Sequence, residues 1–359
     1  MMKKKKSVII IIVSLIILIA LTFILYFILN NKNKLTVGER NWINDNISTV
    51  QNVNVLNNVS VFGSLGTGVF YDFLDDFANE YDLTINPITY NSPNTPSGLA
   101  LVLKKNLSDN DTVFYTDHYV LVGKKAEIVS SEDDLRGKTI GVLNSELSYI
   151  SKYIKKVSDV SFKQFESVDE LNKALEKDVD YMIVPLMECL DTILTKDYQV
   201  IYHFSDIKEY YVLQSDDSIL ASVMEKYYHS WKNKFDDVYN QELFKALTTG
   251  MNISDTEIDA MQSVSYNYGF VNASPYEVIT GGKYGGIVAV YLSNFSKFAD
   301  VEFNFVRYKT FNKFMKAVND KKVDLYFNYY NFTDNFNQTD GINIGYVIAA
   351  SRKNNTVIK

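Results

Sequence analysis

Residues 66–90, GTGVFYDFLDDFANEYDLTINPITY, and residues 284–308, YGGIVAVYLSNFSKFADVEFNFVRY, align without a gap at an offset of 218 residues. Gly68-Val69 meets Gly286-Ile287, Leu74 meets Leu292, Phe77 meets Phe295, Leu83 meets Val301, and Ile88 and Tyr90 meet Val306 and Tyr308. In each copy a glycine turn opens a segment whose apolar residues recur every three or four positions. An alternating segment follows, Leu83–Ile88 in the first and Val301–Val306 in the second. The first period belongs to a helix with one buried face and the second to a strand, so each copy reads as a β-α-β unit. A repeat of this length predicts an α/β architecture present twice.

The alignment resumes at an offset of 227, where Tyr119-Val120-Leu121 meets Tyr346-Val347-Ile348. The extra residues of the second copy fall in an amphipathic stretch, Phe311–Val318, whose counterpart in the first is the proline-containing Asn91–Gly98. Beyond Tyr119 the first copy predicts a strand at Lys138–Leu143, a helix at Ser148–Lys156 and a short strand at Phe162–Phe165. A capping-box pattern, Ser167 with Glu170, then opens a helix ahead of the apolar strand Tyr181–Val184. Two further stretches, Ser218–Trp231 and Asp236–Leu247, complete the copy, and Leu35–Val37 reads as its first strand. The second copy has only 13 residues after Tyr346, which predicts an incomplete domain and a chain that is truncated or part of a longer receptor.

Composition removes several classes of function. The chain has 359 residues, 47% of them hydrophobic and 22% charged, which excludes an extended disordered polymer. Without Lys3–Lys6, 32 basic residues face 43 acidic ones, the opposite of a nucleic-acid footprint. One cysteine, Cys189, excludes an internal disulfide framework, and three scattered histidines leave no ligand cluster, so neither cofactor nor metal is expected. Ser7–Leu29 is an uncharged apolar run of about 34 Å at 1.5 Å per residue, enough to cross a lipid bilayer as a transmembrane helix. The lysines ahead of it predict an uncleaved signal anchor with residues 1–6 cytoplasmic and residues 35–359 extracytoplasmic, at the cell membrane.

In order of features the chain resembles the family-3 extracellular solute-binding proteins, the two-lobed periplasmic-binding-protein or Venus flytrap domains. The carrying residues are Gly66–Phe77, Tyr119-Val-Leu-Val-Gly123, Ser131–Val142 with its Leu-Arg-Gly-Lys turn, and Phe165–Leu175 followed by Val179–Val184. In the second copy they are Asn272–Tyr276, Gly281–Gly286 and Phe314–Leu325. The resemblance implies a first domain at 35–250, with lobe one at 35–119 and 205–250 and lobe two at 120–204. It implies a second domain at 258–359 that holds lobe one only. It further implies a non-enzymatic, membrane-anchored sensor module in which a small solute closes two lobes. A tethered component of an ABC importer and the non-catalytic part of a lytic transglycosylase remain as alternatives, and a homodimer fits any of them.

Candidate ligand residues follow from strand ends that face a cleft. Arg40 and Trp42 follow the assigned first strand, Thr67 lies in the glycine turn, and Asp109 lies in an acidic loop. His118 and Tyr119 mark the hinge, and Asn144, Ser145 and Glu146 open the helix after a strand. Tyr276, Tyr284 and Thr333 form the half-site of the second copy. The resemblance also implies two departures. No arginine occurs between Leu99 and Tyr119 to fork onto an α-carboxylate, and Pro185 stands where an aspartate would hold an α-amine. Together they speak against an ordinary amino acid, and the missing arginine with the acidic loop Asp109–Asp111 predicts a cationic or neutral solute.

Overall fold

The computed structural model describes residues 34–327 except 92–95, 109–110, 126, 128 and 155–156, together with 349–350 and 357–358. The predicted bilayer span, Asp109, Thr333 and Tyr346 lie outside the described residues. Among those described, no helix is long and apolar enough to cross a membrane. The chain divides into two compact units. The first takes the described residues up to 127 and 135–251, and the second takes those from 252 onward with residues 129–134.

The first unit begins with a helix where the sequence predicted a strand. In α1 (Val37–Asn46) the Thr36 hydroxyl accepts the Glu39 amide while the Glu39 carboxylate accepts the Thr36 amide. This reciprocal cap satisfies two helix-end amides, a gain that a three-residue strand at Leu35–Val37 could not match. Arg40 and Trp42 are therefore helical and do not stand at the carboxyl end of a strand.

Strand β1 (Val50–Leu56) connects through α2 (Val69–Tyr81) to β2 (Thr84–Tyr90), its parallel neighbour. Next come β3 (Ala100–Lys104), the long β4 (Thr112–Gly123), β5 (Thr139–Leu143), α3 (Asn144–Ile154) and β6 (Ser161–Phe165). The unit continues with α4 (Val168–Leu175), β7 (Tyr181–Pro185), α5 (Leu186–Thr195), β8 (Gln199–Gln214) and α6 (Ser218–Gly250). One eight-stranded sheet results, in the order β2-β1-β3-β8-β4-β7-β5-β6. Its central pair, β4 and β8, runs antiparallel, and each strand is long enough to belong to both halves. On either side lies a separate core. The larger is built on Val53, Val55, Phe70, Phe73 and Phe77, the smaller on Val120, Leu171, Leu175 and Val184. Helix α5 serves both, giving Met187 and Leu190 to the larger and Cys189 and Ile193 to the smaller.

Helix α6 runs unbroken for 33 residues where the sequence predicted two stretches, because Lys232–Phe235 contains neither glycine nor proline to end a turn. Its inner face is aromatic. The Phe73 ring meets Phe114 and Trp231 edge-on, with centroids 5.3 and 5.2 Å away, and the Trp231 indole donates to Asp76 at 2.8 Å. Each such ring pair adds about 1 kcal/mol beyond area burial. Lys226 joins α6 to α1 through the Glu39 carboxylate at 2.7 Å. Burial opposes ionisation of Glu39, yet Lys226, Ser222 and Thr36 outweigh it and hold the carboxyl at about 2.

In the second unit, α7 (Asp255–Gln262) opens with its own capping box, Ser254 with Glu257, at the same 218-residue offset as Thr36 with Glu39. Strand β9 (Ser265–Phe270) follows, and then the hairpin β10 (Val278–Thr280) and β11 (Lys283–Gly285). Next come α8 (Ile287–Ala299), β12 (Glu302–Arg307) and α9 (Phe311–Asn319), the last matching the amphipathic stretch read in the sequence, and two short antiparallel strands, β13 (Ala349–Ala350) and β14 (Val357–Ile358). Strand β12 pairs with β9 in parallel, as β2 does with β1. Helices α2 and α8 have the same length and end on left-handed aspartates, Asp82 and Asp300, also 218 apart. Gly281-Gly282, expected in a strand-to-helix turn, forms the hairpin turn instead, with φ of 60° and 78°.

Gly68 and Gly286 precede these helices at φ of 121° and 110°. A Cβ would stand 2.6 Å from the Phe62 carbonyl carbon at Gly68, and 2.2 Å from the Tyr276 oxygen at Gly286. Gly68→Ala should therefore cost about 3 kcal/mol or more in urea unfolding, combining a disfavoured dihedral with a backbone clash. Gly66→Ala, at φ 84° with nothing within 4 Å, should cost about 1 kcal/mol. Equal losses would show that the close approach at Gly68 is unimportant.

Candidate functional site

The chain crosses between the two halves of the first unit where β4 meets β8, and the ladder is broken there. His118 pairs with Lys208 and Val120 with His203, so Tyr119 alone spans residues 204–207 of the partner strand. A looped-out segment in a strand pair removes ladder bonds and bends the strands locally, and it lies at the hinge position expected from the sequence. The His118 ring nitrogen Nδ1 lies 3.1 Å from the Phe204 carbonyl, and burial pushes His203 down, with His118 adding repulsion. A cavity of about 400 Å³ opens here, lined by Tyr115, Asp117, His118, Leu186, His203 and Phe204.

Four carboxyl groups surround the hinge. Asp117 and Glu209 are directly opposed on β4 and β8, 1% and 5% exposed. Both occupy the buried phase of their strands, Glu209 between the fully buried Ile207 and Tyr211. Glu146 comes from the first turn of α3 and Glu188 from the first turn of α5. Asp117 accepts the Met187 amide at the start of α5 and the His118 amide, each at 2.8 Å. Those bonds favour its charge, yet burial, with Glu188 nearby, dominates and pushes it to about 7. Burial also raises Glu209 well above the ordinary range, with Glu188, Glu146 and Asp117 adding and Lys105 opposing. Its Oε2 is buried without a hydrogen-bond partner among the described residues.

The cation facing this group is Lys105, in the loop after β3. Its ammonium pairs with the Glu146 carboxylate, which also accepts the Tyr119 hydroxyl at 2.6 Å, and lies 5.8 Å from the centre of the Tyr149 ring. Lys105 belongs to the larger half and Glu146 to the smaller, so this ion pair bridges them. Tyr149 adds a second bridge by donating to the Lys208 carbonyl at 2.7 Å.

The predicted ligand residues divide sharply. Tyr119 and Glu146 are in this cluster, and His118 borders it. Ser145 sits 3.4 Å from a Glu146 oxygen, whereas Asn144 turns outward to Glu166. Arg40 is exposed on the Leu35 carbonyl, and the Trp42 indole donates to Asp217 at the cap of α6, so their hydrogen bonds hold α1 in place and do not reach the hinge. Thr67 closes a small exposed turn on Ser64. In the second unit Tyr284 and Tyr268 donate to the buried Glu277, and Tyr276 stacks on Phe327, so both predicted tyrosines serve that unit's core. Asp117, Glu188, Glu209 and Lys105 were missed. The available signal was a carboxylate on the inward phase of an otherwise apolar strand, as in Ile207-x-Glu209-x-Tyr211.

No protein-family model matches the sequence, and no curated protein matches it. Among solved structures, the chain is similar to the periplasmic domain of BvgS from Bordetella pertussis, at 15% identity and a TM-score of 0.45. That match covers 82% of this chain and 63% of the BvgS domain, so the chain spans less than two thirds of its length. It is also similar to the amino-acid transporter substrate-binding protein AbpA from Streptococcus pneumoniae bound to L-arginine, at 16% identity and a TM-score of 0.43, covering 59% of this chain and 99% of that one. A mutant of ArgBP from T. maritima matches at 12% identity and a TM-score of 0.43, over 57% and 99%.

The carboxyl groups set opposite pH dependences. Asp117 and Glu209 bind protons more tightly folded than unfolded; the Asp117 contribution is complete below about pH 4 and is lost as pH rises through about 7, and the Glu209 contribution is lost in the same direction. Glu39 behaves conversely: its contribution is present above about 4.5 and is lost as pH falls toward 2. Melting temperature should therefore fall from about pH 5.5 to about pH 8. In Glu209→Gln that slope should flatten, and an unchanged slope would show that Glu209 titrates as in water.

Proposed function

We propose that the first unit is an extracytoplasmic solute-binding module. In this reading a small molecule enters the seam between the two halves and holds them closed about the β4–β8 hinge. The observation that carries it is the broken ladder at Tyr119, flanked by two cores and bridged across the seam by contacts such as Lys105 with Glu146. Two packed bodies joined at such a bend interconvert between open and closed states, and a ligand touching both shifts that balance by its differential affinity.

In the same reading the run Ser7–Leu29 tethers the module to the membrane with its bulk outside the cytoplasm. The recurrence of cap, helix and parallel strands in the second unit fits a tandem receptor that senses a solute.

Fluorescence transfer between dyes at Glu80→Cys on α2 and Lys173→Cys on α4 tests this in the full chain. Both sites are exposed, while Cys189 is buried, with its thiol pushed up, and resists labelling. Titration with separate panels of amines, amino acids, sugars and dicarboxylates should raise transfer with at least one compound, saturably. No change with any panel would contradict the proposal.

A further inference from the structure

We propose that the seam takes a compact organic cation, a primary or quaternary amine, with Glu209 as its counter-ion, and that Lys105 occupies the cation's place in the ligand-free chain. The inference rests on the solute-binding reading and names the ligand class of that site. Its first support is the orphaned Glu209 Oε2, buried at the hinge with no donor among the described residues. A buried carboxylate in that state requires a partner, a proton or a cation brought from outside.

The second support is the chemistry already present. The Lys105 ammonium rests on the Glu146 carboxylate beside the Tyr149 ring, the combination of charge and aromatic face that binds ammonium groups. The Tyr119 hydroxyl lies on the same Glu146 carboxylate, and burial, with Glu209, Glu146 and Glu188 adding, pushes it up and keeps it neutral. An anion would have to be desolvated among Asp117, Glu146, Glu188 and Glu209, and Lys105 is already paired with Glu146. A metal ion is poorly served, since no three potential ligands converge on one point among the described residues. An amine that reaches Glu209 and takes Glu146 from Lys105 would touch both halves. It would thereby replace a bridge internal to the chain with one that depends on the solute.

Isothermal titration of the full chain with ethanolamine, putrescine and choline, and separately with succinate, tests this at neutral pH. At least one amine should bind. Its affinity should fall at least tenfold in Glu209→Gln and rise severalfold in Lys105→Met, which removes the competing ammonium. If Glu209→Gln does not fold, the gain in Lys105→Met decides alone, and its absence overturns the proposal. Amine affinity unchanged in a folded Glu209→Gln overturns it, as does failure of all three amines. Should a sugar or succinate close the lobes in the fluorescence assay while no amine does, the cation inference fails and the solute-binding reading stands. If nothing closes them, both fail.

Discussion

The antiparallel pairing of β4 with β8 is the constraint on which the first unit depends. These strands alone belong to both halves of the sheet, and every other strand pairs within one half. Asp117 and Glu209 face each other across that pairing, where like charges at opposed positions weaken a sheet. Partner chemistry compensates in part. Asp117 is held by two backbone amides, one of them at the start of α5, whereas Glu209 Oε2 has no hydrogen-bond partner among the described residues. The break in the ladder thus lies beside a buried carboxyl oxygen that has no hydrogen-bond partner among the described residues.

Around this crossing the molecule is asymmetric. The larger half is locked by aromatic packing of α6 on α2 and β4, and by the Glu39–Lys226 pair that fastens α1 to α6. The smaller half is built mainly on aliphatic residues, and it meets the larger through α5, whose alternate residues serve both cores. The helix that packs on both cores is also tied to the strand crossing, through the Met187 amide that Asp117 accepts.

Much of the architecture was legible in the sequence because it is written in periodic patterns. The 218-residue repeat predicted two helices of matching start and two following strands, and the alternating apolar runs located β5, β6 and β7. The first helix was misread because Leu35-Thr-Val looks β-branched, while its deciding feature was Thr36 with Glu39, a pattern recognised at Ser167 but overlooked here. The site was less legible. Tyr119 and Glu146 could be found from their places at strand and helix ends, but Arg40 and Trp42 were assigned to a cleft through a strand that does not exist. Lys105, Glu188 and Glu209 come from three separate elements, and only tertiary pairing brings them to Glu146. Local periodicity carries no information about that convergence.

The ionisation state of Glu209 bears most directly on this account. In full-length chain carrying carboxyl-labelled glutamate, with the Glu209 resonance assigned by its loss in Glu209→Gln, the chemical shift can be followed against pH. The account predicts a midpoint well above the ordinary 4.5 in the free chain and a lower one when an amine is bound, since a cation at Oε2 stabilises the charge. A midpoint near 4.5 that does not respond to any amine would contradict it.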